Sequence, residues 1–356
     1  MPFAAYMSHV LYHPRYGYYA AGPERAGWRG HFLTSPEIDP AFGALWARGF
    51  EQVWESCGRP EEFTVVEIGP GEGGFARAVL DAAAEPFRSA LAYLLVERIP
   101  AIEERQRAVL DGLERVAWSR SITEVAHTSA GILFANEVVD NLPVHLVETR
   151  GGSLVEICVD DDGHGLGFTA LPPSSPELQR FLDRVGVLLP EGHRMEVPLA
   201  AESLVARAAK LVELGALVVV DYGAEAVDLA DRPGGTLVAY SAGGVDDAVL
   251  EAPGTKDVTA HANWTALERA MQGAGLTVAG PVAQRVVLRS LGLDRLHDEL
   301  RAEHDEAVTE GRGADAVRAL SRRQALGALA DPDGLGRFEV LVGCKNVEVP
   351  AFARPE

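Results

Sequence analysis

Cysteine is scarce in this chain, and histidine shows no metal-binding pattern. The cysteines, Cys57, Cys158 and Cys344, lie far apart and form no CxxC pair. The histidines show no spacing suited to a metal site. A disulfide framework and a metal site are therefore not expected, and the thiols are predicted to be reduced and mostly buried.

Long apolar runs and targeting signals are missing as well. No stretch of about 18 apolar residues occurs, which excludes a membrane-spanning helix. The first residues, Met1 to Tyr6, form neither a basic segment followed by an apolar one nor an arginine-rich presequence. These absences predict a cytoplasmic protein.

Basic residues are outnumbered by acidic ones. With 32 Lys and Arg against 52 Asp and Glu, the formal charge is −20. A field of this sign repels phosphates, so no nucleic-acid partner is expected, whereas an Arg- or Lys-containing segment is attracted. The alternative, that the acidic surface only aids solubility, stays open. The motifs of P-loop NTPases and of α/β-hydrolases are both absent.

Short apolar strands alternate with helical segments along most of the chain. Strands are predicted at residues 63–68, 90–96, 131–135, 216–220, 276–278 and 337–344, a hairpin at 144–159, and helices at 41–54, 75–84, 102–110, 200–214, 263–272 and across 291–330. This alternation indicates right-handed βαβ units. The near-continuous apolar strands suit a sheet that is covered on both faces. The predicted fold is therefore a doubly wound α/β sheet with helical additions.

A glycine-rich turn follows the first predicted strand. Residues 65–74 read Val-Val-Glu-Ile-Gly-Pro-Gly-Glu-Gly-Gly, and a helix is predicted directly after them. Glycines here allow positive φ angles and let backbone amides approach a ligand, at the place where nucleotides bind in open α/β sheets. Gly69, Gly71 and Gly74 also fit the dinucleotide spacing, so the glycines alone leave NAD and S-adenosylmethionine open.

Two acidic residues at strand ends bear on the choice of cofactor. Glu67, just before the glycines, can reach the ammonium of a methionine moiety, whereas a pyrophosphate gains nothing from a negative charge there. Glu97, at the end of the next strand, can accept hydrogen bonds from both ribose hydroxyls, which the two cofactors share. The pattern favours S-adenosylmethionine, with NAD as a minor alternative. The predicted cofactor-binding residues of these segments are Glu67, Gly69, Pro70, Gly71, Gly73 and Glu97.

A polar segment before the first long helix is a candidate lid. Ser35, Pro36 and Glu37 follow His31 and Phe32 closely in the sequence. Ser35 is suited to cap a helix, with Glu37 near its positive end. In the alternative interpretation, the hydroxyls and the carboxylate of this segment fold back over a bound cofactor.

Three polar side chains follow the strand predicted at residues 131–135. Asn136, Glu137 and Asp140 would emerge at the catalytic edge of the sheet, and the two acids would share a face if this turn is helical. Carboxylates there can orient an amine or guanidine nucleophile and accept its proton. A capped turn with solvated acids is the alternative. Asp221 ends a later strand and is another candidate for this edge, or for a simple Asx turn.

Several of these segments together resemble one known family. The resemblance rests on residues 6–7, 11–19, 32–37, 67–71, 136–143, 221–223, 253–260 and 338–341, which occur in the expected order. The chain resembles the MidA-like class I methyltransferases, whose mitochondrial members assist assembly of respiratory complex I. The resemblance implies a seven-stranded sheet with one antiparallel strand and a helical insertion. It also implies S-adenosylmethionine as cofactor, and methylation of a protein arginine in the mitochondrial members.

By motif position, the resemblance implies that one set of residues lines the cofactor and the reaction site. These residues are Thr34, Ser35, Glu37, Gly69, Gly71, Glu97, Asn136 and Asp140. We assign Thr34, Ser35 and Asn136 to the cofactor. We assign Glu37, Glu137 and Asp140 to catalysis, as the residues that orient the acceptor. Two positions depart from the family pattern: His31 stands where Asp is usual, and Asn141 stands where Ala is commoner.

The sequence divides into four segments. They are an N-terminal lid and substrate segment (1–60), a cofactor-binding core (61–290) with an inserted hairpin and helices at about 144–214, a helical insertion (291–336), and a final core strand and tail (337–356). The predicted activity is N-methylation of an arginine in a protein or peptide. The alternatives are a small-molecule or peptide acceptor in a biosynthetic pathway, and a cofactor-binding assembly factor with little turnover. A homodimer is compatible with the sequence.

Overall fold

The computed structural model describes residues 1–21 and 34–354. The helices are α1 (Phe3–Tyr12), α2 (Ser35–Ile38), α3 (Ala41–Ser56), α4 (Gly74–Ala82), α5 (Phe87–Ala90), α6 (Pro100–Val109), α7 (Glu177–Val185), α8 (Leu199–Ala208), α9 (Ala226–Ala230), α10 (Trp264–Gly273), α11 (Gln284–Ser290), α12 (Leu293–Thr309) and α13 (Gly313–Ala330). The strands are β1 (Phe63–Ile68), β2 (Leu91–Val96), β3 (Val116–Ser119), β4 (Thr128–Asn136), β5 (His145–Arg150), β6 (Ser153–Asp161), β7 (Leu166–Leu171), β8 (Arg194–Val197), β9 (Val212–Asp221), β10 (Gly223–Ala224), β11 (Val238–Ser241), β12 (Gly244–Asp246), β13 (Asp257–Thr259), β14 (Ala262–Asn263), β15 (Thr277–Ala283) and β16 (Glu339–Lys345).

Seven strands form the central sheet, in the order β15-β16-β9-β4-β1-β2-β3. β1 pairs in parallel with β2 and β4, β2 pairs in parallel with β3, and β4 does so with β9. β16 is antiparallel to both of its neighbours, β9 and β15. This arrangement confirms the predicted α/β fold, a doubly wound sheet of seven strands with one antiparallel strand.

Helices cover both faces of this sheet. Successive residues of each strand point to opposite sides, so one strand contributes side chains to two cores. On β1, Val65 belongs to a core that includes Trp46 and Phe50 of α3. The next residue, Val66, belongs to a second core that includes Trp264 of α10. The apolar β1 is therefore buried on both faces, which leaves its carboxyl end as the part that can meet a ligand.

Two smaller sheets and a helical hairpin are added to this core. The predicted hairpin is β5 and β6, and with β7 and β8 it forms an antiparallel sheet in the order β7-β6-β5-β8. β11, β12 and β13 form a three-stranded sheet. α12 and α13 pack against each other within the segment predicted to be helical. No helix within residues 1–21 or 34–354 is long and apolar enough to cross a membrane.

Two strands of the central sheet, β9 and β3, differ most from the sequence-based expectation. The helix predicted at residues 200–214 ends at Ala208, and β9 begins at Val212. The start of β9 pairs with Thr128 and Ala130 of β4, so sheet pairing extends a strand into a segment that was expected to be helical. β3 has no predicted counterpart, because its partly exposed Val-Ala-Trp-Ser sequence lacks the apolar run of a central strand.

Candidate active site

Four parallel strands end at the same edge of the sheet. The register pairs Ile68, the last residue of β1, with Val96 of β2 and with Ala135 of β4. Asn136, the last residue of β4, lies opposite Val220 of β9. The residues that follow these strands therefore meet along one edge, which is where ligands bind in open α/β sheets.

The glycine-rich turn between β1 and α4 leaves space beside its backbone. Gly69, Gly71 and Gly73 have φ angles of 65°, 52° and 87°, in the left-handed region that favours glycine. A Cβ atom at Gly69 would lie 2.8 Å from Cγ2 of Val138, so the turn packs closely on the segment after β4. A Cβ atom at Gly71 would meet no atom of the described residues within 4 Å. This geometry supports the prediction that a ligand approaches the backbone at Gly71.

A buried glutamine that the sequence analysis missed joins this turn to the end of β2. Gln106 of α6 is fully buried, and its Nε2 atom donates to the Gly71 carbonyl oxygen at 2.7 Å and to Glu97 Oε2 at 3.4 Å. Its Oε1 atom accepts a hydrogen bond from Trp118 Nε1 at 3.1 Å. Gln106 therefore positions Glu97 relative to the glycine turn. No local signal marks it, because a glutamine in a charged helix is usually exposed.

Glu97 lies at the end of β2 with its carboxyl group held in place. The side chain is 6% exposed, and Oε1 accepts a hydrogen bond from the Ile99 backbone N–H at 2.7 Å. Burial raises the pKa of Glu97 to about 7, although the hydrogen bonds from Ile99 and Gln106 and the charge of Arg98 oppose the rise. Both protonation states of this carboxyl group are therefore populated near neutral pH.

Glu67 is buried within β1 and is bonded to the neighbouring strand. The hydroxyl of Tyr93 on β2 donates to Glu67 Oε2 at 2.8 Å. Burial raises the pKa of Glu67 to about 8, against the lowering effect of this hydrogen bond. The protonated form therefore predominates at neutral pH. The contact with a cofactor ammonium stays a prediction, and it requires that the bound cation stabilise the carboxylate.

α2 carries the candidate lid residues and begins with a capping box. Thr34 is the N-cap residue, so the expectation that Ser35 caps this helix is wrong. Glu37 Oε2 accepts hydrogen bonds from the N and Oγ1 atoms of Thr34, both at 3.1 Å. Ser35 is fully buried, and its Oγ atom accepts a hydrogen bond from Gln284 Nε2 at 3.3 Å. His31 lies outside the described residues.

The segment after β4 is a series of bends and turns, so the helical face expected to join Glu137 and Asp140 does not exist. Glu137 has a φ angle of 54°, which is uncommon for a residue with a side chain. Its Oε1 atom accepts hydrogen bonds from Ser35 N and Asn136 Nδ2, each at 3.0 Å. These bonds attach α2 to the sheet edge. Burial raises the pKa of Glu137 to about 7, and the charges of Asp140 and Glu37 add to the rise.

Asp221, the last residue of β9, holds the backbone of the segment after β4 in its turn. It is fully buried, and its Oδ2 atom accepts hydrogen bonds from the backbone N–H groups of Val139 at 2.9 Å and Asp140 at 3.2 Å. Its Oδ1 atom accepts a hydrogen bond from the Tyr222 N–H at 2.9 Å. With three backbone donors bound, Asp221 acts as a positioning residue, and Asp140 is the acid that it presents at the edge.

Asp140 and Asn136 each present a buried oxygen atom that has no partner in the part of the chain that the structure describes. Within residues 1–21 and 34–354, no group donates a hydrogen bond to Asp140 Oδ1 or to Asn136 Oδ1. Such atoms cost free energy, so they are typical of places where a protein binds a polar ligand. Burial also raises the pKa of Asp140 to about 6. The edge of the sheet therefore combines an open glycine turn with carboxyl groups that titrate near neutrality.

The same arrangement has a counterpart among known families. A family profile described as "Putative S-adenosyl-L-methionine-dependent methyltransferase" matches residues 45–282, more than half of the chain. The chain belongs to this family. The matched region of the methyltransferase holds the glycine turn, Glu97 and the segment after β4.

Relatives and solved structures agree with this assignment. The methyltransferase is 27% identical to "Protein arginine methyltransferase NDUFAF7, mitochondrial" of Danio rerio, over 86% of this chain and 76% of the relative. It is 29% identical to the protein of the same name from Mus musculus, over 82% of this chain and 70% of the relative. A crystal structure of a Burkholderia thailandensis protein bound to S-adenosyl-homocysteine is 28% identical, with a TM-score of 0.86 and coverage of 99% of this chain and 90% of that one. These matches confirm the MidA-like resemblance and S-adenosylmethionine as the cofactor.

The relatives overturn one prediction. The proteins of Danio rerio, Mus musculus and Homo sapiens that match this chain are all named as mitochondrial. The predicted cytoplasmic location is therefore wrong. The error arose because the lack of a recognisable targeting signal in a stretch of sequence does not by itself identify a compartment.

Proposed function

We propose that this methyltransferase transfers the methyl group of S-adenosylmethionine to an arginine side chain of a protein. The observation that carries the proposal is the pair of carboxyl groups, the half-buried Glu137 and the buried Asp140, at the sheet edge beside the glycine turn. A guanidinium has five N–H donors and a positive charge, and carboxylate oxygens are its strongest partners. The activity named for the vertebrate relatives and the formal charge of −20 support the same acceptor.

The residues at the ends of β1, β2 and β4 fit the cofactor. Glu97 offers a buried carboxylate suited to ribose hydroxyls, and the space beside Gly71 admits a ligand to the backbone. Asn136 Oδ1 is an acceptor that has no partner among the described residues. When bound, the cofactor supplies a methyl group on a positively charged sulfur. The proposal assigns the same ligand to Thr34, Ser35, Glu67, Gly69, Pro70 and Gly73.

In this proposal, the carboxylates orient the acceptor nitrogen and take up the proton that it loses. Ser35 and Asn136 both bind Oε1 of Glu137, which fixes the carboxyl group and leaves its second oxygen for the acceptor. A general base works best when its pKa lies near the working pH, and values of about 7 for Glu137 and about 6 for Asp140 meet this condition. Glu37 is assigned to orienting the acceptor through its charge. One of its oxygen atoms, Oε2, accepts a hydrogen bond from the backbone N–H of Thr34.

Within the segment 1–60, the helices α1 and α2 are proposed to cover this edge as a lid. α2 is bonded to Glu137 through the Ser35 N–H, and the hydroxyl of Tyr12 at the end of α1 donates to the Asn141 carbonyl oxygen at 2.9 Å. The end of α1 and the start of α2 therefore both contact the segment that carries Glu137 and Asp140. Exclusion of water by such a cover strengthens every charge interaction beneath it.

Cofactor affinity is expected to fall with pH on the acid side of neutrality. Only the ionised form of Glu97 can accept hydrogen bonds at both oxygens, and with a pKa of about 7 that form is lost as the pH falls from 8 to 6. We expect S-adenosyl-homocysteine to bind about tenfold more weakly at pH 6 than at pH 8, measured by calorimetric titration. Glu97→Gln should remove most of this dependence. Equal affinities at the two pH values would contradict an ionised Glu97 as the ribose ligand.

The proposed activity is tested by transfer of a tritiated methyl group from S-adenosylmethionine to a panel of arginine-containing proteins. Label is expected in methylarginine after hydrolysis of the acceptor, and it is expected to disappear in Glu137→Gln. The exposed Asp160→Asn variant is the control for a lost acidic side chain elsewhere. Label in another amino acid, or transfer only to a small molecule, would overturn the arginine assignment.

A further inference from the structure

The strand β13 places polar side chains beside Asp140. The Ala260 N–H donates to the Asp140 carbonyl oxygen at 2.8 Å, and Asn141 Nδ2 donates to Asp257 Oδ1 at 2.9 Å. Asp257 and Thr259 share one face of β13, because alternate residues of a strand point to the same side. The valine between them packs into an apolar core instead. β13 is therefore bonded to the turn that carries Asp140, with its polar face on the side away from that core.

Two hydroxyl groups beside Asp140 have no hydrogen-bond partner among residues 1–21 and 34–354. Within the described parts of the chain, no group bonds to Tyr222 Oη or to Thr259 Oγ1, although both atoms are buried. Thr259 is only 2% exposed. The Tyr222 hydroxyl lies close enough to Asp140 to lower the pKa of that carboxyl group, and Thr259 lies close enough to the hydroxyl to lower the pKa of Tyr222. With Asp140 Oδ1, three buried oxygen atoms are thus clustered without partners.

Two acidic groups, Asp140 and Asp221, are the charged groups that act on the Tyr222 hydroxyl. Burial and the charge of Asp140 raise the pKa of Tyr222 far above its ordinary value, so its hydroxyl stays neutral. His261 packs edge-on against Tyr222, with ring centroids 5.2 Å apart. Burial lowers the pKa of His261 to about 4, and Arg232 and Arg337 add to this effect, so the imidazole brings no positive charge. The cluster therefore suits a ligand that is cationic and rich in donors.

We propose that Tyr222 and Thr259 form, together with Asp140, the specificity pocket for the guanidinium of the acceptor arginine. Each oxygen offers a lone pair, and a guanidinium presents several N–H donors in one plane, whereas a lysine ammonium is a single compact point of charge. The inference rests on the proposed function, because an arginine acceptor is what brings a guanidinium to this edge. Tyr222 and Thr259 select the acceptor, and the carboxyl groups take up its proton.

Removal of the two hydroxyls tests the pocket. Tyr222→Phe and Thr259→Val keep the size of each side chain, and neither hydroxyl has an internal bond to lose, so thermal stability should not fall. We expect the KM for an arginine-containing acceptor protein to rise about tenfold in each variant, with the Kd for S-adenosyl-homocysteine unchanged. Tyr6→Phe is the matched control. Its hydroxyl donates to the Val249 carbonyl oxygen at 2.9 Å, so that variant should lose stability and keep its KM.

A binding measurement separates this inference from the proposed function. N-acetyl-arginine amide is titrated into the protein saturated with S-adenosyl-homocysteine, and about tenfold weaker binding is expected in each hydroxyl variant. If the wild type methylates no arginine but binds this probe through the hydroxyls, the proposed function fails and the pocket stands. If arginine is methylated and both variants keep the wild-type KM and probe affinity, the pocket is wrong and the function stands. Equal binding of N-acetyl-lysine amide would also overturn the selectivity for guanidinium.

Discussion

Replacement of Asp140 by Asn is expected to reduce kcat about 100-fold or more, because it removes the proton acceptor that the proposed mechanism requires. Burial raises the pKa of Asp140 to about 6, so in the wild type kcat should also decline as the pH falls through that value. The residual activity of the variant should not show this decline near pH 6. Initial rates of methyl transfer between pH 5 and pH 8.5 provide the measurement.

Stability measurements distinguish this loss of activity from unfolding. The folded protein keeps a proton on Asp140 that the unfolded chain releases above its ordinary pKa of 3.8, so the contribution of this group to stability declines between that value and about pH 6. The amide introduced by the substitution carries no charge, and we therefore expect Asp140→Asn to have a thermal midpoint at pH 8 equal to or above that of the wild type. An active Asp140→Asn variant would contradict the proposed role. A lower thermal midpoint would instead show that the side chain mainly supports the fold.

Replacement of Glu97 by Ala is expected to weaken the binding of S-adenosyl-homocysteine about 100-fold. Two hydrogen bonds to a charged acceptor contribute about 1.5 kcal/mol or more each, and about 1.4 kcal/mol corresponds to a factor of ten. The variant also deprives the Ile99 N–H and the Gln106 side chain of their shared partner. Calorimetric titration with S-adenosyl-homocysteine, and with NAD as the competing cofactor, provides the measurement.

The matched control is Glu104→Ala, on the exposed side of α6, which should bind S-adenosyl-homocysteine as tightly as the wild type. A fall in affinity for Glu97→Ala alone would locate the effect at the end of β2. Unchanged affinity in both variants would remove Glu97 from the cofactor site. Gln106→Leu extends the test, because an intermediate loss is expected if Gln106 acts only by positioning Glu97.

The glycine turn shows how far local sequence signals reach. The predicted strand at residues 63–68 agrees with β1, and the positive φ angles of Gly69, Gly71 and Gly73 match a turn that only glycines adopt easily. An apolar run that stops at a group of glycines is visible within ten residues of sequence. The acids at the ends of β1 and β2 are visible for the same reason, because a strand end can be recognised from the pattern around it.

The contacts that organise the acceptor side are of a different kind. Ser35 and Glu137, which share a hydrogen bond, are 102 residues apart in the sequence, and Asp221 and Val139 are 82 apart. No periodicity in the sequence relates such positions. The winding of the sheet brings them together, and Asp221 holds the segment after β4 in a turn that does not give Glu137 and Asp140 a shared helical face.

The sequence by itself determined the class of fold, the cofactor turn and the presence of acids at the strand ends, because those properties follow from short-range patterns and from family motifs. Only the tertiary structure decided what each acid does. Asp221 accepts hydrogen bonds from three backbone N–H groups, Glu67 is bonded to Tyr93, and Asp140 keeps an oxygen atom that has no partner within residues 1–21 and 34–354. Burial and distant hydrogen-bond partners set these differences, and neither is encoded in the residues next to each acid.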